Sequence, residues 1–249
     1  MIETLSSTQW LLLGLIFLWT GFVRSALGFG GAALSLPLML LLIPDPLVFL
    51  PIIGVHLLVF SSLTLFNRLD NVDWRYLKRA MPIMALPMAA GLAGLLRLPG
   101  EWLSLLVFSI TLFYGITYLL NLPIRSQGKW VDSALLAGGG YIAGTSLIGA
   151  PLIVAVFSRH VSPRRLRDTL FVLWILFVLV KMGAFSLAGV DFHIEAALLL
   201  LPIAAIGHFV GLRAHESFLS SGADRLKRWI GLALILITLT GLYRLTLAS

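Results

Sequence analysis

The stretch Gly138-Gly139-Gly140-Tyr141-Ile142-Ala143-Gly144-Thr145-Ser146-Leu147-Ile148-Gly149-Ala150-Pro151 decides how this chain folds. It lies in an apolar segment, about 133–158, yet carries glycine and proline at a density that bends or breaks helices. An earlier apolar segment, about 10–43, is interrupted in the same way by Gly28-Phe29-Gly30-Gly31. Its 34 residues would make one helix ~51 Å long, which overshoots a hydrocarbon core of ~30 Å. Broken backbone is tolerated at membrane depth only inside protein or beside a cavity, so both segments read as re-entrant helical hairpins. The competing reading is that the glycines let helices pack closely, as small-xxx-small patterns do. For Gly207-xxx-Gly211 that packing reading is the stronger one.

Composition supplies the membrane. Of 249 residues, 59% are hydrophobic and only 12% charged, against about 25% charged in soluble domains. The mean hydropathy is +0.99. A disordered chain, a nucleic-acid-binding domain and an ordinary soluble enzyme are excluded, and the bilayer is the main partner. The net charge of +7 therefore needs a membrane explanation. Cysteine is absent, which removes disulfides, thiolate chemistry and cysteine metal sites. Met1 to Gln9 holds Glu3 and no basic residue, so no cleavable signal peptide is expected and Trp10 onward reads as mature structure.

Six segments have the ~20 apolar residues that a full crossing needs: 46–66, 75–96, 102–120, 166–188, 195–213 and 226–246. Trp74, Trp102, Trp130 and Trp229 fall at or just beyond span ends, where an amphipathic ring suits the headgroup layer. Ser162-Pro163 reads as an N-cap followed by proline at the first helical position.

The chain also resembles itself. Gly21-Phe22 with Gly30-Gly31-Ala32 aligns on Gly140-Tyr141 with Gly149-Ala150-Pro151 at an offset of 119. Val72-Asp73-Trp74 aligns on Val190-Asp191-Phe192 at 118, and Met81-Pro82 with Gly91 on Leu201-Pro202 with Gly211 at 120. Two repeats follow, 1–122 and 123–249, each a hairpin plus three spans.

The positive-inside rule chooses between topologies. If both broken segments cross, basic residues divide seven against nine, with no bias. If both are hairpins, fourteen fall together, and only Arg97 and Arg244 face the other way. This arrangement puts both termini outside. A hairpin plus three crossings is an odd unit, so the second repeat is inverted relative to the first. The expected fold is thus an all-α integral membrane protein of six full transmembrane helices plus two re-entrant hairpins. Inverted repeats whose broken helices meet near the midplane are an architecture of secondary transporters.

The paired motifs Gly21-Phe22…Gly30-Gly31-Ala32…Pro37 and Gly140-Tyr141…Gly149-Ala150-Pro151 resemble those of the TauE/SafE family, also called the sulfite exporter or sulfonate-uptake permease family. The resemblance covers essentially the whole chain. It implies transport of sulfite, organosulfonates or related small organic anions across a bacterial inner membrane. The second motif departs from the family pattern, with Leu147 where glycine is common and Ala150 in place of another.

Two basic residues remain once the loops are assigned: Arg24 and Lys181, both inside apolar segments. A charge at membrane depth costs about 2.5–3.5 kcal/mol on insertion scales and marks a functional site by default. Each has a second reading, in which its long stem carries the charge to the interface. In the functional reading both face a central anion. The second hairpin arms begin near Gly30, Gly31 and Gly149, and their free N–H groups form positive helix ends that bind anions. Ser25, Thr145 and Ser146 add hydroxyl donors. His56 and His208 sit mid-span and are candidates for substrate or proton contact, with buried packing as the plain alternative.

No Asp or Glu is expected deep in a span, which disfavours carboxylate proton relays, sodium sites and cationic substrates. No cofactor, metal cluster or enzymatic nucleophile–base pair is indicated. The expected activity is a secondary transporter of a small organic or sulfur-containing anion, running by alternating access and favouring export. An anion channel is the alternative. Oligomeric state stays open, a homo-oligomer included.

Overall fold

The computed structural model describes residues 2, 5–27, 31–122, 124–220 and 224–248, with backbone alone at 27, 215–220, 224–227 and 248. Ten α-helices follow one another: α1 (Ser7–Leu27), α2 (Gly31–Leu40), α3 (Pro46–Leu65), α4 (Trp74–Arg97), α5 (Gly100–Leu119), α6 (Lys129–Ser146), α7 (Ala150–His160), α8 (Pro163–Leu187), α9 (Ile194–Ser220) and α10 (Asp224–Ala248). Their starts follow local chemistry. Asp45 caps α3 by accepting from the Leu47 amide at 2.9 Å, with Pro46 behind it. Asp73 caps α4 through the Tyr76 amide at 2.9 Å. Pro163 opens α8 as expected, although Ser162 at its N-cap position makes no side-chain cap bond.

Among the described residues, seven helices are long and apolar enough to cross a membrane: α1, α3, α4, α5, α8, α9 and α10. The sequence reading counted six. The seventh is α1, because the first segment breaks only after Leu27 and leaves a 21-residue helix ahead of the break. Its partner α2 has 10 residues, ~15 Å at 1.5 Å per residue, and cannot cross alone. The second broken segment has the same form, 18 residues in α6 and 11 in α7.

Both short helices fold back on the arm before them. A Cβ added at Gly31 would lie 3.1 Å from Arg24 Cβ, and Thr20 donates to Ser35 Oγ at 2.6 Å across the α1–α2 pair. In the second pair, Gly149 lies against the Gly139 carbonyl and the Ala143 amide. The break there is narrower than the glycine pattern suggests. Helix α6 runs straight through Gly138–Gly140 and stops only where Leu147 adopts φ 58°, a left-handed cap.

The mid-helix glycines serve packing instead. A Cβ at Gly140 or Gly144 would overlap the carbonyl oxygen of Met84 or Met88 on α4. Gly207 and Gly211 on α9 lie in the same way against the Leu18 and Phe22 carbonyls of α1. Backbones so close make the α1–α9 and α4–α6 pairs the most intimate in the molecule, and both run parallel. Gly91 faces the Tyr141 carbonyl and the Thr145 amide, while Gly211 faces the Phe22 carbonyl and the Ala26 amide. Those positions differ by 120 and 119 residues. Helices α5 and α10 pack antiparallel through Gly115 and Gly231, and α3 packs against α8 where Gly54 meets Met182.

The joints between helices sort to two ends. At one end Arg68 pairs with Asp168, Asn71 bonds the Arg164 carbonyl, and Asp132 holds His160 and Arg159 beside Tyr76. At the other, Ser104 bonds the Pro44 carbonyl, Asp45 abuts Gly100, and Arg244 donates to the Leu41 carbonyl. One apolar core lies toward the second end, around Phe17, Phe49, Phe108 and Phe185. Another lies toward the basic end, around Met84, Phe157, Phe171 and Trp174.

Candidate functional site

Arg24 sits in the last turn of α1, where the carbonyl-rich helix end favours a cation. It is 5% exposed. Among the described residues no carboxylate pairs with it, and its Nε and Nη2 have no hydrogen-bond partner. Its guanidinium lies 4.8 Å from the centre of the Phe60 ring, and the first turn of α2 rests on its Cβ at Gly31. A buried guanidinium left with two unpaired nitrogens calls for an acceptor.

The next residue, Ser25, meets His208 of α9, with Oγ 2.5 Å from Nδ1. His208 Nε2 lies 3.5 Å from Thr64 Oγ1 of α3, and its ring lies 4.8 Å from that of Phe60. The Thr64 hydroxyl spends its hydrogen on the Phe60 carbonyl at 2.8 Å, so toward His208 it only accepts. That assigns the histidine proton to Nε2 and leaves Nδ1 to accept from Ser25. Arg24, Ser25, Phe60, Thr64 and His208 are one cluster at the junction of α1, α3 and α9.

Thr64 connects this cluster to water. It lines a cavity of about 780 Å³ at the basic end, along with Arg68, Arg164, Arg167, Asp70 and Leu212. Arg68 and Arg167 reach toward Asp168 at 3.9 and 3.6 Å, and Asp168 Oδ2 accepts from Asn71 at 2.6 Å. Asp168 is thus buried in the second turn of α8 and neutralises part of the cavity's charge.

The other expected residues are arranged differently. His56 donates from Nε2 to the Ala197 carbonyl at 2.7 Å and ties α3 to α9, with its Nδ1 unpartnered. Lys181 is 1% exposed, and its ammonium donates to the Gly144 carbonyl at 2.5 Å. The Thr145 and Ser146 hydroxyls turn back to the Ile142 carbonyl at 3.0 and 3.1 Å, so their hydrogens are committed to α6. Gly149 packs against α6. Gly30 lies outside the described residues. The geometry therefore joins Arg24, Ser25, Gly31 and His208, and bonds Lys181 to the end of α6. Sequence reading missed Phe60 and Thr64, although His56, Phe60 and Thr64 stand at i, i+4 spacing on one face of α3.

Seven crossing-length helices, two folded-back short ones and a buried, unpaired cation beside a basic cavity define a polytopic membrane protein of the transport kind. The chain matches the sulfite exporter TauE/SafE family over residues 13–241 and belongs to it. Membership makes it a multi-pass membrane transporter of the sulfite and sulfonate exporter type, working on a small anion within a lipid bilayer. Neither the comparison with curated proteins nor that with solved structures returns a match.

Proposed function

We propose that the protein is a secondary transporter exporting a small organic or sulfur-containing anion, such as sulfite, a sulfonate like sulfoacetate, or a carboxylate. It works by alternating access between two inverted repeats, 1–122 and 123–249, in a bacterial inner membrane with both termini outside. The observation that carries this reading is Arg24, buried with no counter-ion and two unpaired nitrogens. An anion with several oxygens on one face meets the guanidinium fork, and the amides at the start of α2 lie beside it. Ser25 and His208 complete the ring of polar groups, and Thr64 leads to the basic cavity, taken here as the inner mouth.

The matched glycine contacts of α1–α9 and α4–α6 support the inverted repeat. A negative-inside potential drives an anion outward, so export needs no further driving ion. The test is a binding panel on purified protein with sulfite, sulfoacetate, taurine, sulfate and simple carboxylates. One anion binds the parent, and Arg24→Ala weakens it by at least about tenfold, the loss of one charge-assisted hydrogen bond. An Arg24→Ala protein that binds as the parent does refutes the site. Conductance in planar bilayers, far above carrier turnover, would replace the transporter reading with a channel.

A further inference from the structure

Lys181 has its own setting, apart from the Arg24 cluster. Helix α6 ends at Ser146 because Leu147 turns into the left-handed region, and the Leu147 amide returns to the Ala143 carbonyl at 3.2 Å. The next carbonyl, Gly144, takes its hydrogen bond from the Lys181 ammonium on α8. Gly144 has no side chain to stand in the way, and its other side is pressed against Met88 of α4. The Phe185 ring lies 5.9 Å from the same ammonium, one helical turn along α8. Among the described residues no carboxylate pairs with Lys181. The charge is met by the negative end of a broken helix, a main-chain carbonyl and an aromatic face.

Broken-helix ends with exposed carbonyls at membrane depth are where transporters coordinate an alkali cation. We propose that the Lys181 ammonium is a tethered cation filling such a site at the end of α6, so that the protein needs no free sodium or potassium ion there. The consequence for coupling rests on the transport reading above, whereas occupancy of the site does not. The two halves also differ in the way this requires. At the offsets of 119 and 118 that flank this region, Gly144 corresponds to Ser25 and Lys181 to Ser62 or Leu63, neither of them charged. The first half carries its cation on the hairpin arm, as Arg24. The second carries it on the neighbouring span.

Thermal unfolding without any transported anion tests this. Lys181→Met keeps the apolar stem and removes the charge, leaving the α6 end without its cation. In a buffer whose only cation is N-methylglucamine, this variant melts below the parent. Added sodium, potassium or methylammonium raises its melting temperature in a saturable way, while the parent does not respond. If none of the small cations moves the variant more than the parent, the tethered-cation assignment is wrong. Should Lys181→Met give no folded protein, Lys181→Gln takes its place, and the parent alone still decides. Anion binding or uptake by the parent that changes when sodium replaces N-methylglucamine overturns the proposal. Because melting is read without anion, its failure is distinguishable from a failure of the Arg24 site, which the binding panel reads.

Discussion

Ser25 shows how much of this site rests on single hydroxyls. Its hydrogen goes to His208 Nδ1, and in Ser25→Ala that nitrogen is buried without a donor. Leaving one buried acceptor unsatisfied costs about 1–3 kcal/mol, so the variant should melt several degrees lower and bind anion more weakly. Unchanged melting would show that the contact carries little. Leu147 sets two effects against each other. Its left-handed φ of 58° costs about 1–2 kcal/mol that glycine would relieve, but its side chain is only 8% exposed. Removing a buried leucine side chain costs about 2–5 kcal/mol, so Leu147→Gly should destabilise despite the better backbone, as a melting curve would read. Arg24 and Lys181 are legible in the sequence because a charge inside an apolar run needs no structure to stand out. Phe60 and Thr64 are not, since a phenylalanine and a threonine in a span look like any lining residues until the fold sets them beside His208.

The helices meet through backbone contact, and that makes their glycines intolerant. Gly144→Val places carbon where the Met88 carbonyl oxygen lies, and α4 and α6 must separate along their length. Overpacking of this kind costs about 1–3 kcal/mol or more. The folded yield of Gly144→Val should fall sharply, whereas Gly183→Ala, with open space at its Cβ, should match the parent in size-exclusion chromatography. The α6–α7 pair is closed at the basic end by Asp132, which accepts from Ser126 and His160 and pairs with Arg159 at 3.7 Å. Burial acts to raise its carboxyl pKa, but the two hydrogen bonds and the His160 and Arg159 charges outweigh it and hold it below the usual 3.8. A depressed carboxylate stabilises the fold above its unfolded pKa and loses that contribution as pH falls through the folded value. Asp132→Asn should therefore melt below the parent at neutral pH, with the gap closing only below about pH 3.8. A gap that stays constant well below that pH would remove the charge from the explanation. At this scale the sequence shows that two segments break but not where. Glycine is used both to break a helix and to pack one, and only the neighbour across the interface tells the two apart.

For the whole molecule, the sorting of joints to two ends ties orientation to chemistry. The absence of cysteine lets single thiols be placed at will. A cysteine at Leu98, 45% exposed in the α4–α5 joint, should react with a membrane-impermeant maleimide on intact cells. One at exposed Gln127, between α5 and α6, should react only after permeabilisation. The reverse pattern would turn the basic cavity outward and the proposed export with it. The sequence by itself determined the solvent, the number of long apolar spans to within one, the two broken segments and the two stranded cations. Each of these is a property of composition along the chain, where burial in lipid selects residues one position at a time. Only the tertiary structure decided that Arg24 gathers Ser25 and His208 while Lys181 is spent on the Gly144 carbonyl. It also decided that the triple glycine packs a helix instead of breaking it. Those outcomes depend on which backbone faces which across α1–α9 and α4–α6, residues more than a hundred apart for α1 and α9, and hydropathy along one strand of sequence carries no record of a partner.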